Sequence, residues 1–571
     1  MKFRLLTLGA LSLMLGTSFS TDAMAESKEK QLAFPGAEGF GRYTTGGRGG
    51  TVYHVTTLED TGEEGSFRWA CNQKGPRTII FDVSGTIYLT SPLRLSNGDV
   101  TIAGQTSPGG GICIADYPFS IGADNVIIRY MRFRCGNRHV DEHEGDGLGG
   151  MDLNDVIIDH CSVSWSVDEC LSVYGSRNLT VQWCIAAQSM VNAGHSKGNH
   201  GYGGNWGGSG ASYHHNLIIH HTSRTPRLGP RPSTQTDERM DMRNNVIYNW
   251  GGNGCYGGEG MNVNIVNNYY KPGPATENRS ETIQRRIAGI GIRTSEYTGH
   301  NTDSPNEWDK MWHVWGKFYV DGNVNSKYDD VTNDNWTYGM YNQITNGSGV
   351  DNTYTQATRD TMRINEPIDF VAVTTHSAED AFDRVLKYAG CRRTESSRDA
   401  LDIILVNDAR EGLATFTGRN CDQGFINSQD DCGGWPVLAT ANAPADLDND
   451  GISDQWEDFN GLDPSNPDDG NEVGADGYTN LERYLNSLVN ITTINQNAGG
   501  TQMGYIIYED GTTSITGIED TNASQYGANA NTDNNIYFLN GTIAKQNATM
   551  EDYDGLAKGI YIHKGKKVVV K

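Results

Sequence analysis

The sequence has little positive charge and, after its first residues, no apolar run approaching the length of a membrane span. Lys and Arg number 45 against 70 Asp and Glu, a formal net charge of −25, which argues against nucleic acid as a partner. An early apolar run, residues 5–15, follows two basic residues and precedes a small-x-small site at 23–25. The run is too short for a comfortable span. We therefore predict a signal peptide over residues 1–25 and secretion of the mature chain.

Cysteine spacings typical of metal sites are also missing. The ten Cys residues include no Cys-x-x-Cys pair and no Cys/His pattern for zinc, which excludes the usual structural zinc sites. No Cys directly follows residue 25, so a lipid anchor is not expected. Cys421 and Cys432 are candidates for a local disulfide in an oxidising compartment. Cys161 and Cys184 lie inside apolar strand patterns and are expected to be buried.

What the sequence does contain is a repeat. Short segments that share apolar residues followed by a small or amide residue recur every 23–32 residues. Strands at such a period, without long helices between them, predict a parallel solenoid in which each coil covers the next. The segments end at Met131, Cys161, Cys184, Asn216, Asn245 and Asn268.

The last residues of these segments should stack. Asn216, Asn245 and Asn268 would form an amide ladder, and Cys161 and Cys184 would continue the column. The alternative is an antiparallel β-sandwich. Its hairpins would show Asn-Gly or Asp-Gly between closely spaced strands, and this region mostly lacks them.

Charge is distributed unevenly along the predicted coils. Residues 137–180 contain nine acids against two Arg, and Lys197, Arg224, Arg227 and Arg231 follow. Consecutive coils lie side by side, so an acidic strip would face a basic strip across a groove. Clustered acids are costly unless something neutralises them, and Ca²⁺, which takes several oxygen ligands, is one such partner. Ordinary surface salt bridges are the alternative, and clustering alone does not separate the two.

Five motifs in order identify a known family. Together with the opening segment 33–42, they resemble the pectate lyase superfamily, the family that also contains the pectin lyases, in its bacterial secreted form. The resemblance covers residues 31–270 well and extends more loosely to about 435. It implies an all-β, right-handed parallel β-helix. The motifs are Asp146-Gly-Leu, Asp159-His160-Cys-Ser, Ser164-Trp-Ser-Val-Asp168-Glu169, His195-Ser-Lys197-Gly and Ser223-Arg224-Thr-Pro226-Arg227.

The resemblance implies a reaction and its cofactor. A calcium-dependent pectate lyase cleaves polygalacturonate by β-elimination and leaves an unsaturated product. Asp146 and Asp168 match calcium ligands of the family. The family often has a further acid where this chain has Ser172; either Glu169 replaces that acid, or water and substrate oxygens complete the site. Asp159, with the neighbouring His160, is expected to be structural.

The resemblance also implies roles for the basic residues. Lys197 matches the substrate-binding lysine, which can stabilise developing negative charge. Arg224 matches the catalytic base of the Arg-x-Pro motif. Gly229 stands where the family has a second arginine, so Arg227 or Arg231 is expected to bind substrate in its place.

A second calcium site is predicted near the end of the chain. Residues 446–457 match the twelve-residue calcium loop at each key position. Residues 446–482 contain twelve acids and no Lys or Arg, and 476–482 is a partial second copy of the loop. A merely acidic linker is the alternative. The predicted ligands are Asp446, Asp448, Asp450, Asp454 and Glu457.

These features divide the chain. We expect a β-helix catalytic domain over residues 31–435, with loops and a helix, residues 377–389, from about 272 onwards. Residues 444–490 would form an EF-hand-like or thrombospondin-type-3-like calcium module. Residues 491–571 would be a linker and a β-rich tail that resembles the C-terminal sorting domains of certain Gram-negative bacteria; a plain β-hairpin cap is the alternative. We expect a monomer.

Three other functions compete with pectate cleavage. A polygalacturonase on a similar β-helix would use several Asp residues as acids and bases, whereas the Arg and Lys placement favours elimination. A pectin lyase acts on neutral methyl esters and needs no calcium, which Asp146 and Asp168 argue against. A non-catalytic β-helical adhesin would need none of these residues in working geometry.

Overall fold

The computed structural model describes residues 28–235, 237–312, 314–343, 356–394 and 397–516, and the backbone of four strands between 536 and 570. The predicted signal peptide, residues 1–25, lies outside the described residues. Within the described ranges, no helix combines the length and apolar character needed to cross a membrane.

Parallel strands dominate the structure and form three long sheets. Each strand pairs in parallel with the strand one coil earlier and one coil later. The first sheet has ten strands: Thr51–Val55, Arg77–Phe81, Val100–Ala103, Val126–Arg129, Asn154–Asp159, Ser176–Gln182, Gly208–His214, Arg239–Arg243, Asn262–Val266 and Lys317–Asp321. The second has nine: Gly85–Tyr88, Ile112–Ala115, Arg132–Arg134, Ser162–Ser164, Ile185–Ala187, Leu217–Ile219, Val246–Tyr248, Tyr269–Lys271 and Val324–Asn325.

The third sheet consists of a four-stranded and a five-stranded part. Its strands are Leu93–Leu95, Phe119–Ile121, Leu148–Met151 and Leu171–Tyr174, then Asn205–Trp206, Arg227–Leu228, Tyr256–Gly257, Ala288–Ile290 and Met340–Asn342. Three parallel sheets wound by one chain make the predicted right-handed parallel β-helix, and this prediction is confirmed. The antiparallel sandwich is excluded.

The interior of the coils is filled by stacked aliphatic side chains. Val100 pairs with Val126, Val126 with Val156 and Val156 with Leu179, and all four are fully buried. Each such side chain contributes about 1.5–3 kcal/mol on burial. Since one face of every strand is buried, a slip by one residue would expose the whole column, which fixes the register.

The amide ladder is present as predicted and is longer than predicted. Asn216 donates through Nδ2 to Oδ1 of Asn245 at 3.0 Å, and Asn245 donates likewise to Asn268 at 2.9 Å. Asn268 continues to Asn323 and Asn323 to Asn335. Stacked amides satisfy one another and the backbone inside the coil, where unpaired polar groups would be costly.

Cys161 and Cys184 continue the column as expected. The backbone N–H of Cys161 donates to Sγ of Cys184, and the N–H of Cys184 donates to Oδ1 of Asn216. Both thiols are fully buried. The predicted Cys421–Cys432 disulfide is not observed, and this prediction is wrong. All ten thiols are free, and these two contact Asn427 and Gln188 instead.

Short helices connect and cover the coils. The predicted helix at 377–389 is observed as Ala378–Tyr388, and the Ser377 side chain caps it by accepting from Asp380 N. It packs through Val385 and Leu386 against the second sheet. The α-helices are Phe67–Asn72, Pro274–Glu277, Glu281–Gln284, Ser295–Thr298, Asp329–Asn333, Asn335–Gly339, Gln356–Asp360, Ala378–Tyr388, Ala400–Glu411, Asp454–Asn460, Asn480–Ser487 and Asn490–Gln496; 3₁₀ turns span Gly104–Thr106, Asp309–Met311, Gln429–Cys432 and Asp469–Asn471.

The predicted linker does not begin at residue 491. Helix Asn490–Gln496 continues the packed structure, and Thr501–Ile507 pairs antiparallel with Val373–Thr375 and with Thr513–Thr516. Residues 491–516 are therefore packed structure and not a linker. Further on, Ile536–Phe538, Ile543–Lys545, Gly559–His563 and Lys566–Val570 form an antiparallel sheet. Its role in sorting stays a prediction.

The ladder makes a stability prediction. Asn245→Ala removes both an acceptor and a donor in the buried column, so the amide of Asn216 loses its partner. We expect a loss of about 2–4 kcal/mol in the free energy of unfolding, measured by urea titration, because each stranded buried group costs about 1–3 kcal/mol. Asn278→Ala, at an exposed position, is the control. Equal effects of the two substitutions would contradict a stabilising ladder.

Candidate active site

Four loops, each just before a strand of the third sheet, carry the residues predicted for catalysis. Parallel bridges align Glu169 with Tyr202, and Tyr202 with Ser223, on three neighbouring coils. The coil register therefore brings together side chains that are tens of residues apart in sequence. The loops are 135–147, 165–170, 188–204 and 220–226.

Three predicted calcium ligands meet in this groove. Asp146, Asp168 and Glu169 each offer a carboxylate oxygen, and these oxygens lie within 4.8 Å of one another. Oδ1 of Asp146 also accepts from the backbone N–H of Glu169 at 3.2 Å. Burial, with the charge of Asp168, raises the pKa of Asp146 to about 8, although Arg224 opposes the rise. Like charges in a partly desolvated site explain this direction.

Arg224 lies directly beside the acidic cluster. Its Nη1 forms an ion pair with Oε1 of Glu169, and its guanidinium lies 4.2 Å from the ring centroid of Tyr202. Glu169 is 5% exposed and also accepts from Nδ2 of Asn205 at 3.0 Å. The carboxylate of Glu169 is thus both the ion-pair partner of Arg224, the candidate base, and a candidate metal ligand.

Two histidines lie close to Asp168, and Lys197 stands between them in the 188–204 loop. The Lys197 side chain is exposed and forms no ion pair with any residue of the described ranges. Nε2 of His195 and of His200 lie 3.8 and 3.7 Å from the two oxygens of Asp168. Their rings stack at 3.7 Å, and Nδ1 of His195 lies 3.5 Å from Glu144.

These histidines were not among the predicted site residues. His195 belongs to one of the five motifs but has no role assigned by it, and no sequence pattern singles out His200. Their approach to Asp168 depends on how the 188–204 loop folds back over the groove, since the backbone N–H of His200 donates to Val191 O. Sequence spacing carries no signal for such a loop conformation.

The two predicted substrate arginines are already paired. Arg227 makes a two-pronged ion pair with Glu259 at 2.8 and 2.9 Å, and its side chain is 15% exposed. Arg231 pairs with Asp152 at 2.9 Å and is 28% exposed. Arg231 is therefore the more accessible of the two, while Arg227 is held in place by its own acid.

Ser172 and Asp159 have structural surroundings. Ser172 is buried in strand Leu171–Tyr174, and its hydroxyl accepts from the backbone N–H of Asn205. Asp159 is buried on the first sheet, where it accepts from Nε of Arg129 at 2.8 Å. Burial opposes ionisation, but the nearby His160 and Arg129 lower the pKa of Asp159. Its predicted structural role fits this geometry.

The acids of the predicted tail loop also converge, with one exception. Asp446, Asp448 and Asp450 place oxygens within 4.8 Å of one another. Asp450, Glu457 and a residue outside the loop, Asp469, form a second such group. Asp454 belongs to neither group. It starts a helix, and its Oδ1 accepts from the backbone N–H of Leu447 at 2.8 Å.

Comparison with known proteins places the chain in a family. No family model matches. "Probable pectate lyase C" of Aspergillus flavus is 35% identical over 466 residues, which are 80% of this chain and 94% of that protein. The protein of the same name from Aspergillus fumigatus is 33% identical over 477 residues, 82% of this chain and 97% of that protein. The chain belongs to the pectate lyase family.

Solved structures align with this pectate lyase family member more distantly. A pectate lyase from Bacillus sp. N165 in complex with trigalacturonate is 19% identical. The alignment covers 62% of this chain and 98% of that one, with a TM-score of 0.37. The family assignment therefore rests on the sequence relatives, and those described above are fungal.

The charge cluster of this pectate lyase family member predicts a pH effect. The pKa of Asp146 is about 8 in the folded protein and about 3.9 unfolded. The folded state therefore keeps a proton that the unfolded state loses, and stability falls as pH rises from about 4 towards 8. With a calcium chelator present, Asp146→Asn should remove this loss. We expect it to stabilise the protein at pH 8 by about 1–2 kcal/mol, after allowance for partial exposure.

The measurement is thermal or urea unfolding at pH 5 and pH 8. Asp124→Asn, an acid in a turn of the first sheet, is the matched control and should leave the pH dependence unchanged. If Asp146→Asn raised the free energy of unfolding equally at both pH values, ionisation of Asp146 would not be the cause of the loss of stability.

Proposed function

We propose that the protein is a calcium-dependent pectate lyase that cleaves (1→4)-α-D-galacturonan by β-elimination and releases 4,5-unsaturated oligogalacturonides. One observation carries the proposal: the Arg224 guanidinium lies against a cluster of three carboxylates in a groove that also presents the exposed Lys197. An elimination next to a uronate carboxylate needs this combination of a base, cationic groups and a site for a hard cation.

The residues present fit calcium. Asp146, Asp168 and Glu169 supply hard oxygen ligands from two adjacent coils, and their closest oxygens lie within 4.8 Å. The buried Glu169 takes the place of the acid that Ser172 does not provide. Bound there, calcium would withdraw charge from a substrate carboxylate and make the neighbouring C5 proton more acidic. It would also relieve the repulsion that raises the pKa of Asp146.

Arg224 is proposed to accept the C5 proton. A guanidinium can do so only after releasing a proton of its own to solvent, and this release is favoured when the Glu169 carboxylate is engaged by a bound cation rather than by Arg224. The stacked Tyr202 ring and the backbone of the coil hold the side chain at the groove floor. Glu169 therefore serves both as counter-ion of Arg224 and as candidate ligand, and the two roles compete for one carboxylate.

Lys197 and Arg231 are proposed to bind substrate. The Lys197 ammonium is free to approach a uronate carboxylate and to stabilise charge that develops next to it. Arg231 is partly exposed and held by Asp152. Arg227 lies in strand Arg227–Leu228 of the third sheet. Its pairing with Glu259 suits it to shaping the groove rather than to capturing substrate. His195 and His200 flank Asp168, at 3.8 and 3.7 Å from its two oxygens.

Location and assembly are part of the proposal. The pattern at residues 1–25 supports export, and the resemblance of the C-terminal tail supports sorting in a Gram-negative bacterium. The protein is proposed to act as a monomer, because the groove is complete within one chain.

Turnover on polygalacturonate tests the reaction. We expect near-ultraviolet absorbance from the unsaturated product, lost with chelator and weaker on fully methylated pectin. Asp168→Asn and Arg224→Ala should each reduce the rate by about 10²–10⁴, the range for a missing charge-stabilising or proton-transfer group. Asp124→Asn, in the bend before strand Val126–Arg129, and Arg177→Ala, on the first sheet, are matched controls and should retain full activity.

Each other outcome points to a different function. Reducing ends without absorbance would indicate hydrolysis by a polygalacturonase. Calcium-independent activity that prefers methyl esters would indicate a pectin lyase. Absence of turnover in folded wild-type protein would favour an adhesin.

Glu169→Gln tests the shared carboxylate. The substitution removes a negative ligand and the counter-ion of Arg224 while it keeps the shape of the side chain. We expect the calcium concentration for half-maximal rate to rise by about tenfold or more, because affinity depends on ligand charge. Glu64→Gln, at an exposed position far from Glu169 in the sequence, is the control. An unchanged calcium requirement would remove Glu169 from the metal site.

A further inference from the structure

The acids of the tail module share one arrangement. In Asp446, Asp448, Asp450 and Asp469, one carboxylate oxygen accepts a backbone N–H, at 3.0, 3.3, 2.8 and 3.0 Å respectively. The other oxygen of each is buried and has no hydrogen-bond partner among the described residues. Each carboxylate is thus fixed in orientation by the backbone and keeps one oxygen for another ligand.

Glu457 completes the set. Its side chain is fully buried, and neither carboxylate oxygen has a hydrogen-bond partner within the part of the chain that the structure describes. Buried acids without a partner are rare and costly, so the arrangement calls for a cation.

The donor set selects the kind of cation. Four single oxygens and the two oxygens of Glu457 make six hard ligands, the number at the lower end of the calcium range. No His or Cys belongs to either of the two groups, which disfavours zinc and copper. Asp469 comes from the 3₁₀ turn Asp469–Asn471, twelve residues after the loop ends, so the site also ties two segments of the module together.

The same loop contacts the β-helix. Ile452, directly after Gly451, is fully buried in a cluster with Ile80 and Ala103 of the first sheet. Gly451 adopts φ +91°, and a Cβ there would approach Val52 to 3.0 Å. The loop can therefore approach the sheet this closely only with glycine at this position.

Polar contacts run alongside this apolar one. Nε2 of His54, on the first strand, lies 3.3 Å from Asn449 O and 3.8 Å from Asp446 Oδ2. Arg48 pairs with Glu482 at 2.8 Å. The carboxylates that surround the proposed ion are therefore in the same few residues that dock on the first coils.

We propose that one calcium ion, held by Asp446, Asp448, Asp450, Glu457 and Asp469, locks residues 446–489 onto the first coils of the β-helix and so stabilises the end of the catalytic domain. The ion fixes the turn that presents Ile452 to the first sheet. Without it, repulsion among five carboxylates opposes that turn. This role is independent of the groove and of the reaction proposed above.

Calcium titration of unfolding tests the site. In chelator-treated full-length protein, added calcium should raise the thermal midpoint progressively, as a ligand that binds only the folded state must. Asp469→Asn should need about tenfold more calcium for the same shift. Asp468→Asn, its exposed neighbour, should behave as wild type. If Asp469→Asn does not fold, Asp448→Asn at the half-buried rim serves in its place.

A substitution in the groove distinguishes calcium bound at the tail site from calcium bound in the groove. The titration is repeated in Asp168→Asn, which lacks a groove carboxylate, and the stabilisation by calcium should persist there. Stabilisation that disappears in Asp168→Asn, or that is equal in Asp469→Asn and Asp468→Asn, would overturn the tail site. Loss of lyase activity in any variant does not bear on this result.

Hydrogen exchange tests the locking. Chelation should accelerate amide exchange in Thr51–Val55 and Arg77–Phe81, while Lys317–Asp321 at the far end of the same sheet keeps its protection. In Asp469→Asn the two near strands should exchange fast until more calcium is added. Acceleration confined to residues 446–489 would show that the ion orders the module without supporting the coils.

Discussion

In-register parallel pairing of one coil on the next is the constraint on which the rest of this structure depends. It aligns Val100, Val126 and Val156 in one interior column and the asparagines in another. Because strand register is fixed by burial on the inner face, the outer loops inherit it. Residues 168 and 224 thus lie two coils apart in one groove although 56 positions separate them in sequence. The candidate catalytic arrangement is a by-product of the stacking that stabilises the fold.

Charge imposes the second constraint. A chain with a net charge of −25 must neutralise acids wherever it buries them. The structure does so with arginine in several places, as in the pairs of Arg129 with Asp159 and Arg227 with Glu259. At the groove and in the tail module the acids outnumber the nearby cations, and there the pKa values of Asp146 and Glu457 rise to about 8. Both places are where a hard cation would lower the energy of the folded state.

Much of the fold could be predicted because it repeats. The amide ladder, the buried Cys161 and Cys184 and the helix beginning after Ser377 all follow from local residue types at regular positions. The approximate location of the site could be predicted as well, since successive coils must lie side by side. Contacts made by irregular loops could not. His200 reaches Asp168 through the fold of one long loop, and Asp469 reaches Glu457 from outside the recognisable calcium loop.

The sequence by itself determined the solenoid, the order of the coils and the residue types available to the groove. It did so because strand period, apolar pattern and the stacking amides are local properties that every coil repeats. Tertiary structure alone decided which charged groups pair. Arg227 meets Glu259 across one coil, Arg224 meets Glu169, and the chain after residue 490 packs back onto Val373–Thr375. Such pairings depend on distances between loops that have no repeating pattern, and electrostatic and packing energies depend on those distances rather than on sequence separation.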